Sequence, residues 1–370
     1  MHTQMPSHTT PPLSEFPEIN AFLARLGLGE LTSPDSIRGR KGRNPHWSGV
    51  TDSGRKVFVK RLDAPAELSA ARIRQSLAFD RLLRSHPHLG LSSPRCLGAD
   101  VDGRLLVFEL VEEARTAAEL TNEGELTEDL AYELGVTVGR LHELPVTTLR
   151  GDPAPTPLLP SLELLEGLPA PMFEAASAAE LQMWSLVQDD SGLLEAVRGL
   201  LTREQLATPV AAHCDLRLDQ FLVSQGKVFL TDLEEFRAGD PARDLGGVVG
   251  DVLHRAVLDA AALEPAGEGD DATARSRMVS QVAEGIRSAR PVIAAFRLGY
   301  RTARADAGTA VETSRVVAFA GWHLLDRLLA GAGNAARLSA LGRAAAGIGR
   351  KALLSPGAFV PTLGLGEAPA

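Results

Sequence analysis

Two aspartates stand in surroundings that do not suit a lone charge. Asp215 lies in HCDLRLDQFLV, residues 213–223, and Asp232 lies in VFLTDLEEF, residues 228–236. Both stretches are apolar and strand-like. Burying an unpaired carboxylate is costly, so each acid needs a cation, a metal ion or an outlet to water. Gly226 separates the apolar pieces FLV and VFLT, which predicts a short hairpin that returns its second end to its first. Two acids at one edge of a hairpin suit a Mg2+ site with a proton acceptor beside it.

Upstream residues point to phosphate chemistry. Lys60 sits in VFVKRL, whose alternation predicts a strand. Before it, GRKGRN is a Gly-rich basic turn that offers backbone N–H groups. A loop over phosphates, a strand lysine, a helix bearing an acid, a catalytic acid and a metal acid are the parts of a kinase. The order here is that loop, Lys60, a helix over 67–85, HCD, then TDLEE.

These residues need elements to hold them. At 370 residues the chain has room for two domains, at about 150 residues each. The first 115 residues predict several antiparallel strands around one inserted helix: a hairpin or meander over 36–62, PAELSAARIRQSLAFDRLLRS as the helix, then two strands around Asp102-Gly103. Beyond residue 125 the pattern becomes helical, starting with TEDLAYELGVTVGRLHEL and interrupted by a Pro-rich stretch over 145–171. The expected fold is α+β and bilobal, like a protein kinase. Residues 1–16 are expected as a disordered tail, 17–112 as a nucleotide-binding N-lobe, 113–355 as a helical C-lobe with the catalytic and metal loops, and 356–370 as a loose tail.

Composition narrows the function classes. A net charge of -9 argues against nucleic acid or an anionic membrane as partner. Two distant cysteines, Cys96 and Cys214, fit a reducing cytoplasm rather than a disulfide framework. No apolar run is long enough to span a bilayer, and the N-terminus has no signal-peptide pattern.

HCDLRLDQ resembles both the protein-kinase catalytic loop, H-R-D-L-K-x-x-N, and the H-G-D-x-H-x-x-N motif of aminoglycoside phosphotransferases. LTDLEEFRAGDPARDLG is similar to the latter family's IDWE…GDPxxDLA segment, which decides between them. The resemblance covers roughly residues 36–330 and implies an ATP-dependent kinase that uses Mg2+ and an alcohol acceptor. Asp215 would then accept or orient the acceptor proton, and Asp232 would hold Mg2+. Lys60 would pair the α- and β-phosphates beneath the loop Gly42, Arg43 and Asn44. Residues 108–111, with Glu109 and Val111, would meet adenine through their backbone. Three positions depart from the pattern. Gln220 stands where the motif has its second metal ligand, Asn. The helix acid expected beside Lys60 is Asp80, with Glu67 as the alternative. Arg217 replaces the motif's second His, as in protein kinases, and would touch the γ-phosphate. That favours a peptide hydroxyl.

GRNPHWSGVTDSGRKVFVKRL, SLAFDRLL and DLRLDQFLV also look like the kinase subunit of class V lanthipeptide synthetases. This implies phosphorylation of Ser or Thr in a ribosomal precursor peptide, with a separate lyase subunit as partner. The Ala-, Arg-, Leu- and Gly-rich composition suits an actinobacterial source. A small hydroxylated molecule, antibiotic or sugar, is the alternative acceptor. An inactive nucleotide-binding scaffold is the third reading. Blander roles suit the remaining polar residues: His213 as a brace of the loop, His142 as a packed helix residue, Asp240 and Asp244 as braces after the metal acid, Cys214 as a buried inert thiol, and Glu234 and Glu235 as solvated or ion-paired acids.

Overall fold

Alternating apolar residues between positions 38 and 109 form one antiparallel sheet in the computed structural model, which describes residues 12–32, 38–40, 44–146, 158, 160–262, 271–305, 310–333 and 335–366. Its strands are β1 (Arg38–Arg40), β2 (His46–Val50), β3 (Lys56–Arg61), β4 (Cys96–Asp100) and β5 (Leu105–Glu109), in the order β1-β2-β3-β5-β4. On β3, Val57 and Val59 share one face, as the two-residue period requires. Both are fully buried with Trp47, Leu105 and Val107 against Ile19, Phe22 and Leu23 of helix α1 (Pro17–Arg25). Lys60 therefore belongs to the opposite face, paired in register with Leu106 of β5. That face is covered by α2 (Ala66–Ser85), where Ile73 packs with Leu62 and Leu106.

The remaining helices follow from caps and apolar stripes. After β6 (Arg115–Thr116), Thr116 and Glu119 form a reciprocal capping box that starts α3 (Ala117–Asn122). Thr127 caps α4 (Glu128–His142). Then come α5 (Leu162–Glu166), α6 (Ala170–Ala175), α7 (Ala178–Gln188), capped by Ser177, and α8 (Ser191–Gln205), capped by Asp190. Strands β7 (Val210–Ala212), β8 (Phe221–Ser224), β9 (Lys227–Leu230) and β10 (Arg237–Gly239) follow, with β10 antiparallel to β7. Helices α9 (Pro241–Ala262), α10 (Asp271–Ala303), α11 (Thr313–Ala332), α12 (Ala340–Leu354) and α13 (Pro356–Phe359) complete the order. Small residues let these helices touch closely. A Cβ at Gly135 of α4 would lie 1.9 Å from the Phe296 carbonyl of α10, and one at Gly250 of α9 would lie 2.6 Å from the His323 Cβ of α11.

The class is α+β, as the sequence predicts. Contacts divide the described chain into two compact units. One comprises the residues up to Ala114 with Leu222–Phe236, and the other runs from Arg115 to Phe221 and from Arg237 onward. The expected boundary near residue 112 puts Leu222–Phe236 in the helical lobe. Its hydrogen bonds place it with the sheet unit instead: Leu230 N–H donates to Ser92 O at 2.9 Å, and Ser224 Oγ–H to Glu112 O at 2.7 Å. Among the described residues, no helix is long and apolar enough to cross a membrane.

Within the expected tails, the described residues 12–16 and 356–366 pack against the protein, while 1–11 and 367–370 lie outside the described residues. Leu13 and Phe16 pack on the sheet core, with the Phe16 ring 5.0 Å from Trp47. At the other end Leu363 and Leu365 are buried, and Arg297 Nη1 donates to Gly366 O at 2.5 Å. In both places a few large apolar residues outweigh Pro- and Gly-rich neighbours. Leu363→Ala is expected to cost about 2–5 kcal/mol in a denaturant titration, the range for a buried leucine. A loss under about 0.5 kcal/mol, the range for surface substitutions, would return this segment to the status of a tail.

Candidate active site

Hairpin β8–β9 turns at Gln225 and Gly226, with φ of 49° and 74°. Positive φ at both central residues matches the twist of the flanking strands. The chain then leaves β9 through Thr231 and reaches Asp232 with φ 63° and ψ 47°. A residue other than glycine in this left-handed region carries strain of about 1 kcal/mol or more, which the surroundings must hold. Here the holding contacts are ionic. Lys60 Nζ lies 2.6 Å from Asp232 Oδ1 and 2.5 Å from Glu234 Oε1. Burial by itself would lower the Lys60 pKa, but the two carboxylates outweigh it and hold the ammonium above its ordinary range. Burial, followed by the charge of Asp232, pushes the Glu234 carboxyl up to about 7 against the opposing pull of Lys60 and Arg72.

The same turn is tied to the loop and to the helix. Asn44 Nδ2 donates to Glu234 Oε2 at 3.4 Å, while Asn44 Oδ1 accepts the Asp63 N–H at 3.0 Å. Arg72 of α2 donates through Nε to Glu235 Oε1 at 2.9 Å. Phe236 sets its ring edge-on to Phe79 of α2 at 5.1 Å. Thus Asn44, Lys60, Asp232 and three residues not expected at the site (Arg72, Glu234 and Glu235) form one ionic cluster within the sheet unit.

Asp80 is a correction. It accepts Arg84 Nε at 2.8 Å and the Cys96 N–H at 3.2 Å, so it serves the end of β4 and not Lys60. Glu67 is exposed in the first turn of α2. A sequence pattern marks which residues lie on a helix but does not show which carboxylate reaches a given lysine. Gly42 and Arg43 lie outside the described residues. Glu109 ends β5, and its N–H donates to Arg95 O at 2.9 Å; the Leu110 N–H donates to Lys56 O at 3.2 Å. The sheet thus uses both donors, and Val111 follows directly.

In the helical unit, the loop after β7 is fixed by one face of α9. Asp244, fully buried, accepts the N–H of His213 at 2.7 Å and that of Cys214 at 2.8 Å. His142 of α4 lies 3.0 Å away through Nε2, and its Nδ1 is 3.1 Å from the Tyr300 hydroxyl. Burial raises the Asp244 pKa, but the His142 hydrogen bond and the charges of His142 and His213 overcome it and bring the carboxyl below its ordinary value. Two turns along α9, Asp251 accepts the Leu218 N–H at 3.1 Å. Between them, a Cβ at Gly247 would stand 2.4 Å from Leu216 O, so only glycine admits the loop. Asp244, Gly247 and Asp251 fall at i, i+3 and i+7, one face of a helix. Asp244 thus braces the catalytic-type loop before α9, where the sequence suggested a brace of the later segment.

This support leaves Cys214 at φ 68° and turns Asp215 outward, its side chain half exposed. Arg217 Nη1 donates to both Asp215 oxygens, at 3.0 and 3.1 Å, and Nε donates to Asp219 at 3.2 Å. Gln220, expected as a metal ligand, is buried and its Oε1 accepts the Arg217 N–H at 2.9 Å. The Gln220 amide oxygen is thus turned back into the loop. Cys214 is buried, and burial followed by the charge of Asp244 holds its thiol far above the ordinary range, so it is no nucleophile.

Residues 43–278 match the model of the APH phosphotransferase enzyme family. The chain belongs to this family. It is an ATP-dependent phosphotransferase with an alcohol group as acceptor. Solved structures agree on the fold. The amicoumacin kinase hAmiN, solved with AMP-PNP, Ca2+ and Ami, is 16% identical and matches with a TM-score of 0.53 over 93% of this chain and 95% of its own. Choline kinase LicA from Streptococcus pneumoniae is 16% identical, with a TM-score of 0.50 over 91% and 98%. No curated protein sequence matches the chain significantly.

Among the described residues of this phosphotransferase, no group of three or more His, Cys, Asp or Glu side chains is set to hold a metal ion. A single carboxylate such as Asp232 still fits Mg2+, which takes one or two carboxylates and completes its shell with phosphates and water.

The Asp244 brace has a pH signature. Its folded pKa is depressed, so the stability it contributes is present above the unfolded value, near 4, and disappears as pH falls through the folded value. Asp244→Asn is expected to lose about 3–5 kcal/mol near neutral pH. The gap to wild type should narrow below about pH 4, where the carboxyl of the unfolded chain takes up a proton while the native one stays ionised to lower pH. A gap independent of pH would show that the charge of Asp244 is not what holds the loop.

Proposed function

We propose that this phosphotransferase moves the γ-phosphoryl group of ATP onto Ser or Thr hydroxyls of a ribosomal precursor peptide in lanthipeptide biosynthesis, working in the cytoplasm with a separate lyase. One observation carries the peptide reading. A guanidinium, Arg217, grips the catalytic-type carboxylate two residues before it, the place where protein kinases keep a cation. In this reading residues 17–112, with Leu222–Phe236, serve the nucleotide, and the rest of 113–355 serves the acceptor.

The roles follow from the groups present. Asp215 orients the acceptor hydroxyl and takes its proton as the new O–P bond forms and the bond to the β-phosphate oxygen breaks. Arg217, alternating between Asp215 and the transferring phosphoryl, balances negative charge there. Lys60 pairs the α- and β-phosphates, and Asn44 ends the loop above them. Val111, directly after donors already used by the sheet, offers its N–H to adenine, with the Glu109 carbonyl beside it. Asp232 holds Mg2+, which when bound neutralises the β- and γ-phosphate oxygens.

A small hydroxylated acceptor is the second reading, favoured by what the two structural neighbours are named for: an amicoumacin kinase and a choline kinase. Labelled ATP offered with Ser/Thr-rich precursor peptides and, separately, with choline and antibiotics separates the two. Transfer to peptide is expected. Transfer to a small alcohol alone selects the second reading, and no transfer to any of them, with nucleotide bound, leaves a scaffold. Asp215→Asn should lower kcat by about 10²–10⁴, the range for a lost general base, while nucleotide affinity holds. Near-normal turnover in that variant would remove Asp215 from the mechanism.

A further inference from the structure

Helix α2 carries two acids, Glu67 and Asp80, and neither faces Lys60. One is exposed in the first turn and the other is taken by Arg84 and the Cys96 N–H. What α2 supplies to the cluster is a cation: Arg72 Nε and Nη2 both lie 2.9 Å from Glu235 Oε1. The polarity of a helix-acid-to-strand-lysine pair is therefore reversed. The acids sit on the turn after β9 and the helix contributes the positive end.

The two partners of Lys60 differ in exposure. The Asp232 side chain is 34% exposed and that of Glu234 is 9% exposed, beside a lysine that is itself 13% exposed. Asp232 can turn to a ligand from solvent. Glu234 cannot do so easily, and its second oxygen is engaged with Asn44. If Asp232 is drawn to a metal ion, Lys60 would be left as a nearly buried charge unless a second carboxylate stays with it.

We infer that Glu234 is the permanent positioning residue of the phosphate-binding lysine, replacing an acid on helix α2, and that Arg72 and Glu235 hold the turn that carries it. This rests on the reading of Lys60 as a phosphate ligand. Its consequence is that one turn sets both the metal acid and the lysine, and the charge that the helix brings to this turn is Arg72.

The test is nucleotide affinity, measured by titrating the full chain with a fluorescent ATP analogue, with Mg2+ and with EDTA. Glu234→Gln is expected to weaken Mg2+-nucleotide binding about tenfold, equivalent to about 1.4 kcal/mol. In EDTA the loss should be smaller, because Asp232 remains with Lys60. In a Lys60→Ala background the same substitution should change affinity less than about twofold, since residues that act through one another are not additive. A full tenfold loss in that background would make the role of Glu234 merely structural and overturn the inference, as would unchanged or tighter binding in Glu234→Gln alone. Arg72→Gln, which keeps both Lys60 and Glu234, is expected to weaken binding a few-fold and serves if Glu234→Gln does not fold. Asp80→Asn should leave affinity unaltered; a loss there would restore the helix acid. If Lys60→Ala itself binds nucleotide normally, the underlying reading of Lys60 fails, independently of Glu234.

Discussion

A carboxylate cut off from water must find all its donors inside the protein, and Asp244 meets that demand by fixing the path of a loop. Its oxygens are filled by two consecutive backbone N–H groups, those of His213 and Cys214, and by the His142 ring. Leaving any of these unmet would cost more than a hydrogen bond normally contributes. The rest of the helical unit is arranged around this pairing. His142 must come from α4, Tyr300 from α10 must steady the ring, and α9 must lie close enough that Gly247 has no side chain. Asp215 is half exposed because the residues before it are held down. The helical unit thus works as a clamp on about six residues of backbone.

The two acids noticed first share a backbone feature. Asp232 itself and Cys214, the residue before Asp215, both take left-handed conformations that side chains other than glycine avoid. Such strain persists only where surroundings over-determine it. The surroundings differ. At Cys214 the holding force is a buried hydrogen-bond network in the helical unit. At Asp232 it is an ion cluster in the sheet unit, in which Lys60 and Arg72 face Asp232, Glu234 and Glu235. The first is a set of directional hydrogen bonds that fixes one backbone path. The second is built from charges that a phosphate or a metal ion can rearrange.

The strands, the long helices and the order loop, Lys60, helix, HCD, TDLEE were legible because they depend on periods and spacings along the chain. Lys60 falls on the α2 side of β3 because Val57 and Val59 fix the other face, and the sequence shows that alternation directly. What is not legible depends on rotation about a helix axis and on turns closing in space. Asp80 follows the buried Phe79 by one position, which swings its carboxylate to Arg84 and β4. Glu234 and Glu235 read as an ordinary acidic pair, because nothing in DLEE shows that a 3₁₀ turn sends one to Lys60 and the other to Arg72. The packing of residues 12–16 and 356–366 was hidden by composition: prolines and glycines stand near Leu13, Phe16, Leu363 and Leu365, and a composition argument weighs the many polar or small residues above the few that are buried.

Gln220 shows how one methylene redistributes roles. An Asn at this position is one methylene shorter. The Gln amide reaches back to the Arg217 N–H and closes the 3₁₀ turn Leu218–Gln220 from inside. That bond fixes the backbone of Arg217, so the guanidinium is offered to Asp215 and Asp219 from a steady base. Asp251 fixes the next residue by accepting the Leu218 N–H. Two buried side chains therefore hold consecutive amides, and the cation between the two exposed aspartates gains its direction from them.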